Sequence, residues 1–506
     1  MNLHASARRG RPGRLRRFRR KVCVAAAVGA AVLTLGAPAP PPARAPGAPA
    51  PVPAPAARSL ADELAHAVTG RGAWRHLAAI EAATTANGGH RVTGSAGYDA
   101  SADYLTKVLT AAGYQVERQR FTFPDFEVTA ESGVLKAPEV RTLHPVMANF
   151  SRSTPEGGVT AQLVVPSGED TGCAAADYAG ADVTGKIVLV RKGKCFLTDK
   201  QRLAADAGAA ALLMNVDLPQ TGLNLRHRMN PPSAARIPTA TVTRAEAEQL
   251  LADMPAAGPV TLTLDLRGRA TTNRAYNVLA DTPTGRAGNT VVMGAHLDSV
   301  DTTPGANDNA AAAAMLLETA VQLAPRRDRV ENRVRFAWWA AEEKGLSGSR
   351  YYVDELTGQQ RDETALYLNL EMIGSPNFAR QVYNGRTLDG PAPDGSEQIS
   401  RALNGYFATR GLPTVGLALD HRSDHDPFIA AGIPAGGVNA GADTVKTPEW
   451  AELFGGTAGQ MLDPCYHQRC DTPANVNRTI FGQFGRSMAW ALGRYAVDTS
   501  EVNGRR

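Results

Sequence analysis

The sequence predicts an α/β fold: an α/β sandwich with a largely parallel central sheet, into which a smaller α/β module is set. Three observations carry this reading. From Ala275 onward, strand-like apolar runs alternate regularly with helical segments. Those runs are nearly continuous in apolar residues, as strands covered on both faces are. The stretch 130–265 has a different texture, with short strands and a helix of its own and no clustered catalytic side chains.

In chain order, residues 59–112 read as helical, with apolar residues recurring at three and four (Leu60, Leu64, Val68; Tyr104, Leu105, Val108, Leu109) and a break at Asn87-Gly88-Gly89. Gly113 closes the last of these helices as a C-cap. Strand-like residues follow through Val128. Within the module, Lys186–Arg191, Ala211–Val216 and Pro238–Val242 read as strands and Lys200–Ala207 as a helix. Beyond it, strands are expected at Asn277–Ala280, Thr290–Ala295, Val334–Ala340, Leu366–Met372 and Pro434–Val438. Helices are expected at Ala310–Leu323, Leu346–Leu356, Gly395–Ala408 and Thr479–Ala496. The expected division is 1–57 as export signal and Pro/Ala-rich linker, 58–129 and 266–498 as the two parts of the main domain, 130–265 as the insert, and 499–506 as a tail.

Charge places the protein. The 506 residues carry 54 Lys+Arg against 49 Asp+Glu, a net of +5 that would suggest nucleic acid or an anionic membrane. Ten of those cations lie in residues 1–50, which hold no acidic residue, so the remaining chain is mildly acidic and no nucleic-acid partner is expected. The arginines precede an apolar run, Val22–Leu35, and a Pro/Ala tract, Pro38–Ala57. That order is a secretory signal peptide, with an apolar run too short to span a bilayer comfortably. Cys23 lacks a lipobox-like context, so the expectation is a secreted, extracellular monomer without a stable membrane anchor. Four cysteines remain after the signal, an even number that favours two disulfides in an exported chain. Sequence neighbourhood favours Cys173–Cys195 and Cys465–Cys470 over the two other pairings.

Chemistry-bearing residues fall at successive strand ends, where open α/β sheets bind ligands. His296 and Asp298 follow one strand, Asp308 opens the alanine-rich helix, Glu342-Glu343 follow the next strand, Glu371 ends another, and His467 lies between Cys465 and Cys470. Each has a plain reading alone: a loop histidine, a helix cap, solvated charge. Glu371 resists it, because an unpaired carboxylate in the apolar run 366–373 is costly. Together the carboxylates and imidazoles are the donors zinc accepts.

Seven ordered segments closely resemble the double-zinc secreted aminopeptidases, of the streptomycete/vibrio leucyl aminopeptidase and aminopeptidase Y type. They are GGHRVTGSAGYDASADYL (88–105), GAHLDSV (294–300), GANDN (305–309), VRFAWWAAEEKGLSGSRYYV (334–353), YLNLEMIGSPN (367–377), HRSDHDPF (421–428) and GTAGQMLDPCYHQRCD (456–471). The resemblance covers about 60–125 and 270–495 and implies the zinc-exopeptidase form of the fold, an α/β/α sandwich on a largely parallel, mixed sheet. It implies two Zn2+ ions per chain. His296 and Glu371 hold one, Glu343 and His467 the other, and Asp308 bridges them about 3.5–4 Å apart. Glu342 is the implied general base, taking a proton from the metal-bound water and delivering it to the leaving amine. Glu342 and Glu343 can share one site only because the strand is ending, since neighbours in a regular strand point to opposite faces. Asp298 orients His296, Tyr466 donates to the developing oxyanion, and Arg422 helps hold the substrate. The Cys465–Cys470 bridge stiffens the Tyr466-His467 loop, and a cis peptide is implied at Asp308-Asn309.

One departure stands out: the family usually has Asp where this chain has Glu371, and the extra methylene moves the carboxylate by roughly 1.5 Å. The insert resembles a protease-associated domain through Cys173, VTGKIVLVRKGKCF (183–196) and AADAGAAALLMNV (204–216). Such domains cover or tune substrate access. The implied activity is release of N-terminal residues from peptides or proteins with a free N-terminus. The rival readings are a glutamate-carboxypeptidase-like zinc exopeptidase, which needs a basic cluster for a terminal carboxylate, a mono-zinc glutaminyl cyclase, and a non-catalytic binding ectodomain, which need not keep Glu342 or the ligand set.

Overall fold

The computed structural model describes residues 58–505 apart from 168–169, 217–225, 257–258 and 389. The expected export signal, 1–57, lies outside the described residues. Three helices come first, Leu60–Ala67, Gly70–Ala86 and Ala96–Ala111. Ser59, Thr69 and Ser95 cap them by accepting the N–H of Asp62, Gly72 and Tyr98, which satisfies donors a helix start leaves open.

Strand β1 (Gln115–Ala137) then enters the sheet. The insert contributes β2 (Arg141–Leu143), β3 (Val146–Met147), β4 (Val159–Val164), β5 (Ile187–Arg191), β6 (Ala211–Val216) and β7 (Thr239–Thr243). The chain returns along β8 (Thr261–Asp281), followed by β9 (Arg286–His296), β10 (Asn332–Trp339), β11 (Thr364–Glu371), β12 (Gln381–Thr387), β13 (Val415–Leu419) and β14 (Ala435–Asn439). In the main domain the spatial order is β1-β8-β10-β9-β11-β14-β12-β13. Pairs β10–β9, β9–β11, β11–β14 and β12–β13 are parallel; β1–β8, β8–β10 and β12–β14 are antiparallel. The mixed, mostly parallel sheet is the architecture the alternation of elements predicted.

Its centre is the most apolar part. Every residue of β11 is buried, as is nearly all of helix Ala311–Leu323, whose small alanines let it lie close under the sheet. Gly294 on β9 shows how tight this is: a Cβ there would sit 2.6 Å from both Trp339 Nε1 and Tyr367 OH. Among the described residues no helix is long and apolar enough to cross a membrane.

The insert shares this sheet instead of hanging from a linker. β1 and β8 pair without a break in strand from Gln115↔Asp281 to Ala137↔Thr261, and β4 extends β8 into a parallel run β4-β5-β6-β7. The boundaries expected at 129/130 and 265/266 fall inside this ribbon, where the register shifts between Val128 and Ala130. Sequence reading ended the first strand at Val128 and missed β12, whose Asn384, Gly385 and Arg386 break the apolar run, and β13, a strand of 5 residues interrupted by Gly416.

Candidate active site

The parallel strands β9, β10, β11 and β14 deliver their carboxyl ends to one edge, and the candidate residues gather there. His296 is the last residue of β9 and Glu371 the last of β11. Glu342 and Glu343 follow β10 after Ala341 adopts φ 55°. That left-handed residue breaks strand alternation, which is how two consecutive glutamates reach the same cleft. His467 (φ 58°) and Met372 (φ 42°, next to Glu371) are also left-handed, so half of the six described non-glycine residues with positive φ adjoin or form the site. The Asp308-Asn309 peptide is cis, as the resemblance implied.

Two triads result, each with ligand atoms within 4.8 Å of one another: His296, Asp308 and Glu371, and Asp308, Glu343 and His467. Asp308 belongs to both. Its Oδ1 lies 3.2 Å from His296 Nε2 and its Oδ2 lies 3.2 Å from His467 Nε2. Glu371 Oε1 is 3.5 Å from His296 Nε2, and Glu343 Oε2 is 3.3 Å from His467 Nε2. Glu343 Oε1 and His467 Nε2 are buried without a hydrogen-bond partner. Donor atoms that converge without satisfying one another fit a pair of cations. The set also fits zinc by charge: Asp308, Glu342, Glu343 and Glu371 bring four carboxylates to two imidazoles.

Surrounding groups fix these side chains. His296 Nδ1 faces the Asp298 carbonyl at 3.1 Å and its carboxylate at 3.6 Å, leaving Nε2 to the triad. Asp298 Oδ1 and Oδ2 accept the N–H of Glu342 and Glu343 at 3.2 and 3.4 Å. Asp471 accepts the N–H of Asn307 and Asp308 at 2.8 and 3.0 Å, tying the His467 loop to the shared carboxylate. Arg91, fully buried, donates to the carbonyls of Leu297 (2.9 Å), Pro304 and Gly305 (2.6 Å) and so clamps the loop between His296 and Asp308. A relay ends at Glu371: Trp339 Nε1 donates to Tyr367 OH (2.9 Å), which donates to Asn369 Oδ1 (2.9 Å), while Asn369 Nδ2 donates to Ser423 Oγ (2.8 Å), which donates to Glu371 Oε2 (2.6 Å).

Burial pushes the Glu342 carboxyl well above its ordinary range; His296 opposes this, and Glu343 and Asp424 add to it. His467 is raised to about 10 because Glu343 and Asp308 outweigh the downward pull of burial. Burial likewise raises the Tyr466 phenol, against Arg422, so it keeps its proton to donate. Tyr466 stacks on His467 with centroids 3.8 Å apart, and with Glu342 and Arg422 it lines the cleft holding His296, Asp308, Glu343 and Glu371. Arg422 NH1 bonds Asp443 Oδ1 at 2.9 Å. Both disulfides, Cys173–Cys195 and Cys465–Cys470, are formed.

Sequence reading had not singled out Ser423, Asp424, Asp471 or Arg91, although all four lie inside the segments that carried the resemblance. Asp424 is fully buried beside Ser423, with neither carboxylate oxygen hydrogen-bonded and its carboxyl raised to about 8 by burial. Gln381, Tyr383 and Leu417, which line the same cleft, come from β12 and β13, which the sequence did not disclose, whereas Asn439 ends β14, expected as Pro434–Val438.

Comparison with known proteins agrees with this geometry. Residues 277–492 match peptidase family M28, and residues 159–250 match the PA domain. A probable lipoprotein aminopeptidase of Mycobacterium tuberculosis is 39% identical over 439 residues, 85% of each chain. Leucine aminopeptidase 2 of Trichophyton rubrum is 36% identical over 423 residues, 80% of each chain. Among solved structures, a zinc aminopeptidase from Bacillus subtilis superposes with a TM-score of 0.62 at 25% identity, covering 84% of this chain and 94% of that one. An aminopeptidase from Aneurinibacillus has the same fold, with a TM-score of 0.63 at 23% identity over 85% of this chain and 95% of that one. With a cleft at its strand ends and a PA domain carried on the β1–β8 ribbon, the chain belongs to peptidase family M28.

Proposed function

We propose that this protein is an exported zinc aminopeptidase that binds two zinc ions and removes N-terminal residues from peptides. One observation carries the reading: Asp308 offers a separate oxygen to each of two donor triads. Its relatives from Mycobacterium and Trichophyton are named aminopeptidases, and the Bacillus structure is described as a zinc enzyme. When bound, the zinc ions act as Lewis acids that polarise the scissile carbonyl and acidify a water. His296, Asp308 and Glu371 hold one ion; Asp308, Glu343 and His467 hold the other. Glu342 takes a proton from the attacking water and returns it to the departing amine, a role suited to a carboxyl held above its usual range. Tyr466 donates its hydroxyl hydrogen to the oxygen that gains charge, and Asp298 keeps His296 Nε2 aimed at its ion.

A terminal-carboxylate reader on the carboxypeptidase pattern finds less support, because it needs a basic cluster and Arg422 is the one lysine or arginine among the described residues that line the cleft. The complete donor set argues against a non-catalytic ectodomain. Export rests on the 1–57 segment and is supported by the two disulfides.

The test is hydrolysis of aminoacyl anilides and their N-acetylated forms, before and after chelation and zinc return. Free-amine substrates alone should be cleaved, with activity lost on chelation and restored at two zinc equivalents per chain. Equal cleavage of blocked substrates removes the aminopeptidase reading, and activity that survives full chelation removes the metal mechanism.

A further inference from the structure

The inserted domain approaches the cleft in two ways: its apolar cluster, with Phe150 and Met229, packs against Met461 and Tyr466, and the loop after β5 reaches Asp443. Residues 191–196 follow β5 and are held from several sides: the Cys173–Cys195 disulfide, the Lys192 N–H bond to Asn215 O (2.9 Å), and buried Lys200, whose Nζ donates to Gly193 O (2.8 Å) and Thr171 O (2.6 Å). Lys192 and Phe196 of this loop reach the main domain. Lys192 Nζ lies 3.2 Å from Asp443 Oδ2, and the Phe196 ring lies 5.8 Å from His421.

Asp443 is therefore shared between a cation of each domain. Oδ1 takes Arg422 and Oδ2 takes Lys192. Arg422 is held through NH1, not by the two-pronged grip that arginine and carboxylate often favour, and Lys192 lies on the other oxygen. The Arg422 side chain stays 51% exposed, while Ala442 and Thr444, flanking Asp443, line the cleft wall. An exopeptidase holds the chain end inside and lets the rest of the peptide leave through the mouth. Arg422 lines the cleft, and the 53% exposed Phe196 packs on His421, the residue before Arg422.

We propose that the 191–196 loop is the outer lip of the cleft and that Lys192 is a positioning residue: by occupying Asp443 Oδ2 it leaves Arg422 donors free for the peptide residues beyond the scissile bond. The inference rests on the zinc-aminopeptidase reading of the cleft. Without Lys192, Asp443 takes Arg422 with both oxygens and draws it off the substrate path, while Phe196 gives apolar contact to the same departing residues. The lip thereby favours extended peptides over substrates with a small leaving group.

The experiment compares leucine p-nitroanilide with an unblocked leucine-led tetrapeptide in the zinc-loaded full chain. Lys192→Met should lower the peptide-to-anilide ratio of kcat/KM about tenfold, the scale of one hydrogen bond to a charged group, mainly through KM for the peptide. Lys192→Arg should restore the ratio. Phe196→Ser, at an exposed position, should shift it the same way by about threefold and keeps the test alive if Lys192→Met does not fold. A ratio unchanged in both variants, or a loss equal for both substrates, overturns the proposal, as does failure of Lys192→Arg to rescue. Wild-type protein that cleaves neither free-amine substrate overturns the zinc-aminopeptidase reading itself, and the lip with it.

Discussion

Ser423 donates its hydroxyl hydrogen to Glu371 Oε2 over 2.6 Å, and both side chains are buried. That bond settles which carboxylate oxygen faces His296, because Oε2 is taken and Oε1 is left at 3.5 Å from the imidazole. Ser423 is itself the end of a one-way series of donors that starts at Trp339 Nε1, which has no acceptor capacity, so its direction cannot reverse. Ser423→Ala should weaken zinc binding by about 10–100-fold, the range for partners that orient a metal ligand. Competition with a chromophoric chelator measures it. An affinity equal to wild type would show that Glu371 is oriented by something else.

Glu342→Gln should reduce kcat by about 10²–10⁴-fold, the usual worth of a general base. It should leave two zinc ions per chain, because Asp298 and the two triads remain. Elemental analysis beside steady-state kinetics separates the outcomes. Loss of a metal ion would mean that Glu342 and Glu343 have exchanged roles.

Tyr466→Phe removes one donor and leaves the stack on His467 in place. Its effect should fall on kcat, by about 10²–10³-fold, with little change in KM, since a donor aimed at the oxyanion acts in the transition state. A change in KM alone would place Tyr466 in ground-state binding.

Asp443 is held well below the ordinary carboxylate range: burial pushes it up, and Arg422 and Lys192 more than reverse that. Folding thus lowers its pKa, so its contribution is complete above the unfolded value near 3.8 and is lost as pH falls toward the folded value. The stability advantage of wild type over Asp443→Asn should be constant from pH 8 to about 5 and shrink below about 4. Urea unfolding of both proteins across that range checks it; a gap that widens on acidification would show that the carboxylate is not the stabilising form.

Sequence alone disclosed most of the main domain and drew the eye to the strand-end residues that the structure gathers in one cleft, for a physical reason. Strands covered on both faces are apolar throughout, so a carboxylate or imidazole at their ends stands out, as Glu371 does after Leu366–Leu370. What stayed hidden depends on distance in space. Arg91 lies over 200 residues from the carbonyls it clamps, and Ser423 is 52 residues from Glu371. Neither has a periodicity or spacing to report it. β12 and β13 escaped for a local reason: Asn384 and Arg386 interrupt the first, and the second is 5 residues long with Gly416 inside it. The meeting of Lys192 with Asp443, 251 residues apart, was unreadable before the insert could be seen beside the cleft.

The paired strands β1 and β8 run from the core of the peptidase out into the PA domain over 23 and 21 residues. A two-stranded ribbon of that kind bends and twists but cannot swivel as a loop linker does. The same ribbon is hydrogen-bonded through the inner end of β8 to β10, whose end presents Glu342 and Glu343, so a bend or twist of the PA domain has a backbone route to them. Residues set between the outer ends of the two strands also leave the register of Gln115↔Asp281 at the base untouched.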